Sequence, residues 1–191
     1  MLLVLTAPAL QAVTIVDLGG LPGGSYSVAY GINDRGEVVG QAGTADGNLH
    51  AVRWDAHGAI TVLGNLPGSS ISQAVGINDN GESFGVAYTA DGRAHAARWD
   101  AHGAITDLGV LPGGSFSIVQ GINDRGEIFG FANTTDGSVH AVRWDAQGVI
   151  TDLGGLPGGS FSIVQGINDR GESVGFAVTA DGSYHAVRWD P

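Results

Sequence analysis

The chain has 191 residues, 43% of them hydrophobic, with 33 glycines, 6 prolines and no cysteine. That is enough apolar material for a sizeable globular core, and it excludes disulfide frameworks, thiolate catalysis and cysteine-ligated zinc. Charge is sparse and acidic, 19 carboxylates against 8 arginines for a net of −11, so nucleic acid and anionic lipid are excluded as partners, while a neutral glycan, a surface polymer or a soluble cation is not repelled.

In chain order, residues 1–12, MLLVLTAPALQA, read as the apolar region and small-residue cleavage zone of a secretory signal that lacks its basic start. The alternative is a retained apolar segment that packs on a sheet or on another subunit. Either way the stretch is too short to span a membrane. From there the chain repeats itself. GIND begins at Gly31, Gly76, Gly121 and Gly166, RWD at Arg53, Arg98, Arg143 and Arg188, and LPG at Leu21, Leu66, Leu111 and Leu156, always 45 residues apart. Self-similarity at 40 to 50 residues marks a repeat architecture.

Within the third copy, FSIVQGIN (116–123) has the alternation of a strand, and Asp124-Arg125-Gly126 is a turn. EIFGFANT (127–134) is a second strand and Thr135-Asp136-Gly137 a second turn. VHAVRWD (139–145), the turn Ala146-Gln147-Gly148, and VITDLG (149–154) complete a four-stranded meander, which LPGGS (156–160) links to the next unit. Alternation puts Phe116, Ile118 and Ile122 on one face and Ser117, Val119 and Gly121 on the other. Large groups facing small ones suit sheets stacked face to face.

These features predict an all-β, four-bladed β-propeller over residues 13–191, with repeats at roughly 20–64, 65–109, 110–154, and 155–191 plus 13–19. The segment SYSVAYGIN (25–33) and its copies are the expected innermost strands, and the TIVDLG type the outermost. The first copy opens on a last strand, TIVDLG (14–19), and the fourth stops after HAVRWD (185–190). The N-terminal strand is therefore expected to complete the last blade. The same strand offers a second outcome, exchange into a neighbouring molecule, which would make a head-to-tail filament.

The segments HAVRWDA, DLGxLPGGS and GINDxGExxG resemble the repeat of the bacterial extracellular HAF family, in which HAFLWD-, DLGTLGG- and GINDxGQVVG-like segments recur. The resemblance covers roughly residues 13–190. It departs at Val52, Ala97, Val142 and Val187, where the family's name-giving Phe would stand, and at the proline of LPGG. The resemblance implies a propeller-like fold and an extracellular or cell-surface location. It transfers no catalytic motif.

The repeats offer three sets of candidate residues. His50, His95, His140 and His185 open the third strands and could gather a metal if they converged, but a strand third from the axis keeps them apart, which favours structural hydrogen bonding. His57 and His102 lie in turns and are replaced by Gln147 in the third copy. The Asn-Asp-x-Gly-Glu turns bring together Asp34 with Glu37, Asp79 with Glu82, Asp124 with Glu127, and Asp169 with Glu172. Such oxygens suit Ca²⁺, yet Asn, Asp and Gly are also what a tight hairpin turn needs.

The third set is Arg53-Trp54-Asp55, Arg98-Trp99-Asp100, Arg143-Trp144-Asp145 and Arg188-Trp189-Asp190. Its tryptophans can bury large area, and its arginines are expected to pair with aspartates of the same or the next blade. No phosphate loop or HExxH motif occurs, and no acid pair stands out from its repeats. No ligand-binding residue is singled out. The expectation is a non-catalytic binding or scaffold module that requires no cofactor.

Overall fold

The computed structural model describes residues 13–191, so the signal-like segment 1–12 lies outside the described residues. No helix among the described residues is long and apolar enough to cross a membrane. The chain is all-β and falls into antiparallel meanders. The first holds β1 (Ser27–Ile32), β2 (Val38–Gly43), β3 (Leu49–Trp54) and β4 (Ile60–Val62); the second holds β5 (Ser72–Ile77), β6 (Ser83–Tyr88), β7 (Ala94–Trp99) and β8 (Ile105–Asp107). The third holds β9 (Ser117–Ile122), β10 (Ile128–Asn133), β11 (Val139–Trp144) and β12 (Ile150–Gly154). The fourth has three strands, β13 (Ser162–Ile167), β14 (Ser173–Val178) and β15 (Tyr184–Trp189).

The hairpins follow from local chemistry. In the first sheet the N–H groups of Gly36, Gly47 and Gly58 donate to the carbonyl three positions back, at 3.0, 3.0 and 2.9 Å, and all three glycines have φ between 76° and 84°. This is a type I turn closed by a left-handed glycine, the three-residue hairpin loop that a β-branched residue could not make. A bulge between Ala29 and Gly31 bends β1 against β2. Gly40 sits opposite it, where an added Cβ would lie 1.9 Å from the Val28 carbonyl oxygen.

The core lies between sheets rather than within one. Val39, Ala51 and Leu63 of the first unit pack with Ala74, Ala87 and Trp99 of the second. Phe84 and Ala96 of the second pack with Ile128, Val142 and Trp144 of the third, and Phe129 and Ala141 of the third with Val164 of the fourth. First strands are the inner ones, as expected: a Cβ on Gly31 would come within 2.8 Å of the Gly76 Cα. Burial of Trp54, Trp99 and Trp144 is essentially complete, and each contributes several kcal/mol of the order of ~3–5 by its removal cost.

The fourth sheet differs from the other three. Residues 14–19 form no strand, β15 pairs only with β14, and among the described residues no hydrogen bond joins the fourth sheet to the first. Instead Leu18 packs on the cluster of Leu21, Val52 and Trp54 beside the first sheet.

Candidate functional site

Each of the three candidate sets has a definite place. The Asn-Asp-x-Gly-Glu turns line up along one end of the first strands. Asn33 is a hub. Its Oδ1 accepts the backbone N–H groups of Arg35 and Glu37 at 3.1 and 3.0 Å, and its Nδ2 donates to Glu37 Oε2 at 2.8 Å and to the Asn78 carbonyl at 3.1 Å. That fills the bonding capacity of a side-chain amide. Asn78 reaches Asn123 in the same way at 3.4 Å, and Asn123 reaches Asn168 at 3.1 Å. Each contact spans one repeat, so the asparagines clip neighbouring sheets.

The glutamates of these turns face inward. Burial pushes the Glu37 carboxyl up, but hydrogen bonds from Asn33 and Arg35 and the charges of Arg35 and Arg53 outweigh it and leave the group below its ordinary range. Asp79 Oδ1 accepts the Asp34 N–H at 2.9 Å, and Asp169 Oδ1 that of Asp124 at 3.3 Å. Glu37, Glu82, Glu127 and Glu172 each accept a hydrogen bond from Nδ2 of the asparagine in their own turn, which leaves Asp34 and Asp124 as the acids whose carboxylates take no part in these bonds. Among the described residues no three acidic or histidine groups are placed to hold a metal ion.

The Arg-Trp-Asp set holds sheets together, though by contacts other than those the sequence suggests. The Asp55 carboxylate accepts the backbone N–H groups of His57 and Ala59 at 2.9 and 2.8 Å, and Asp100 and Asp145 do the same in their repeats. These aspartates cap the turn in which they sit. Arg53 instead donates to the Ala101 carbonyl at 2.7 Å, and Arg98 to that of Ala146 at 2.7 Å, both in the next repeat. The expected Arg–Asp ion pairs thus fail in these repeats, because the chain turns at the aspartate and its alternation ends there. Only Arg188 and Asp190 pair, at 2.8 Å on the exposed fourth sheet. Two of the tryptophans bond backward, Trp99 Nε1 donating to the Gly64 carbonyl at 2.7 Å and Trp144 Nε1 to that of Leu108 at 2.8 Å, while the buried Trp54 Nε1 finds no acceptor among the described residues.

The histidines do not converge. His95 Nδ1 lies 3.0 Å from the Asp107 carboxylate and His140 Nδ1 2.9 Å from that of Asp152, while His50 meets Asn65 at 2.7 Å. A carboxylate partner requires the hydrogen on Nδ1. His140 and Asp152 border a cleft of about 330 Å³ with Leu111, Pro112, Thr134, Thr135 and Asp136. The hydroxyls there are already engaged, Thr134 to Asp136 at 2.5 Å and Thr135 to the Pro112 carbonyl at 3.0 Å. No activated nucleophile stands beside the imidazole.

Sequence reasoning missed three buried serines. Ser72, Ser117 and Ser162 are fully buried. Their hydroxyls accept the backbone N–H of Ala51, Ala96 and Ala141 in the preceding sheet at 2.9, 2.8 and 2.9 Å. Two of them also donate to the Gly109 and Gly154 carbonyls at 2.6 and 2.7 Å. A serine recurring every 45 residues on an otherwise apolar face was the available signal.

No family model matches the chain, and no curated protein matches it. Among solved structures it is similar to the crystal structure of TolB from Acinetobacter baumannii, with a TM-score of 0.54 and 14% identity over 88% of this chain. The match spans 44% of that chain, less than half its length. TolB is a β-propeller, and at this identity the likeness extends to the fold alone: the protein is an all-β, propeller-like stack of antiparallel sheets.

Proposed function

We propose that the chain is a non-catalytic repeat scaffold of the HAF type, acting outside the bacterial cell or on its surface and presenting its loop rims to a glycan or other surface polymer. In this reading the fourth sheet is the last of four blades, and residues 14–19 supply its missing outer strand. The observation that supports a scaffold is the use of the repeated polar groups. The asparagines, serines and aspartates bond backbone groups in the same way in three repeats, and two arginines and two tryptophans do so as well, at the junctions between sheets or within a turn. An active site needs a singular constellation, and fold by itself argues no chemistry.

The test has two arms. Purified protein is assayed on glycoside, ester and phosphoester panels beside Asp152→Ala, and titrated calorimetrically with extracted surface polysaccharides. Saturable binding without turnover is expected. Turnover that disappears in Asp152→Ala would make the protein an enzyme, and absence of saturable binding together with a cytosolic location on fractionation would end the surface-scaffold reading.

A further inference from the structure

Among the described residues the second and third sheets are covered on both faces by neighbouring repeats, whereas the first and the fourth are each covered on one face only. The residues left open are the counterparts of those buried at each internal junction. Ser27 and Ala29 are exposed, whereas Ser72, Ser117, Ser162, Ala74 and Val164 are completely buried. At the other end Ala186 is exposed, whereas Ala51, Ala96 and Ala141 are completely buried. Ile32 and Tyr184 are 69% and 71% exposed. The open faces are thus the two halves of an interface that the molecule already makes three times.

Residues 14–19 are shaped for the strand they do not join. Gly19 has φ +69°, against +66° and +65° at Gly109 and Gly154, which end the second and third units. Its N–H donates to Asp17 Oδ1 at 2.9 Å, as those of Gly109 and Gly154 do to Asp107 and Asp152 at 2.8 and 2.7 Å. The Ser27 hydroxyl donates to the Gly19 carbonyl at 3.0 Å, matching Ser117 and Ser162. Yet Ile15 is 98% exposed and its neighbours line an open groove of about 370 Å³ against Trp54. β15 meanwhile has no partner strand on its outer edge among the described residues.

The internal register says which residues would meet. Ala97 faces Asp107 and Trp99 faces Ile105 across β7 and β8, so Val187 would face Asp17 and Trp189 would face Ile15. His95 and His140 bind Asp107 and Asp152, so His185 would bind the Asp17 carboxylate. The Ala186 N–H would find the Ser27 hydroxyl, and Asn168 Nδ2 the Asn33 carbonyl.

Resting on the reading that residues 14–19 complete a fourth blade, we infer that the blade they complete belongs to a second copy of this chain, docked head-to-tail so that Asp17 of one copy meets Val187 and His185 of the other. Among the described residues no hydrogen bond joins the first unit to the fourth, while their open faces continue the established junction. Such a contact is heterologous, closing as a pair if the rotation allows and growing into a filament if it does not.

The chain has no cysteine, which permits a clean cross-linking test on the full protein. Asp17→Cys and Val187→Cys copies are mixed and mildly oxidised; a covalent dimer carrying a 17–187 linked peptide is expected. The double variant Asp17→Cys/Val187→Cys is expected to give dimers and higher ladders. A cross-linked monomer in the double variant at all concentrations, with no mixed dimer, would overturn the second copy and leave blade completion standing. Absence of the 17–187 link in both preparations would overturn blade completion too. Should the variants fail to fold, sedimentation of the unsubstituted protein decides: mass rising with concentration above 19.4 kDa is expected, and a constant monomer overturns the inference.

Discussion

Replacing Ser117 with alanine tests the buried serine latch. The hydroxyl accepts the Ala96 N–H at 2.8 Å and donates to the Gly109 carbonyl at 2.6 Å, in a junction where both Ser117 and Ala96 are fully buried. Alanine fills nearly the same space, so no cavity arises. It leaves one backbone donor without a partner between two sheets and removes a bond from a carbonyl. An unsatisfied buried polar group costs about 1–3 kcal/mol, so the variant should lose ~2–4 kcal/mol in all. For a chain of this length that is a fall in Tm of roughly 6–12 °C. The assay is urea unfolding with amide exchange read at Ala96, whose protection should fall most. Ser27→Ala is the control, because Ser27 is exposed and bonds only the Gly19 carbonyl; in dilute protein it should change stability by less than about 0.5 kcal/mol. Ser117→Ala within that same margin, with unchanged exchange at Ala96, would refute the latch.

Trp144→Ala should cost roughly 3–5 kcal/mol in chemical denaturation, because its ring is fully buried and its Nε1 is bonded. Trp189→Ala should cost clearly less in dilute protein, since that ring is only half-buried; equal losses would mean that the fourth sheet is covered like the others. Asp181 accepts the Thr179 hydroxyl and the Ser183 N–H at 2.5 and 3.0 Å, which hold its carboxyl down from 3.8 to about 2. A depressed folded pKa makes the stabilisation full above 3.8 and lost as pH falls toward about 2. Carboxyl carbon shifts followed by NMR should show that midpoint, and Thr179→Ala should bring it back toward the ordinary range; an ordinary midpoint in the unsubstituted protein contradicts the bond.

The strands, turns and inward placement of the first strands were legible because they depend on short-range features. Alternation marks β9 and β10, and a glycine at the end of each Asn-Asp-x-Gly turn marks the hairpin, since only that residue takes the left-handed backbone without penalty. The candidate residues were legible as recurrent but not in their roles. Asp55 looks like an ion-pair partner of Arg53 by i, i+2 alternation, yet it leaves the strand and caps its own turn. Arg53 bonds Ala101 of the next repeat, a separation of 48 residues that no local pattern encodes. Ser117 read as a small residue facing a crowded neighbour; its hydroxyl counts only because an unpaired N–H from the adjacent sheet arrives there.

The unit, its 45-residue period and the likeness of residues 14–19 to the closing segment of each unit are legible in the chain alone, since repetition and hydrophobic alternation are properties of the chain. How the sheets join and where residues 14–19 lie depends on contacts between units that no local pattern encodes. The Asn33, Asn78 and Asn123 clips and the serine latches bond groups one repeat or half a repeat apart. The angle at which they set one sheet on the next governs whether residues 14–19 and β15 can meet. Near-identical repeats specify the same junction every time, and so carry no local mark of the place where the stack stops.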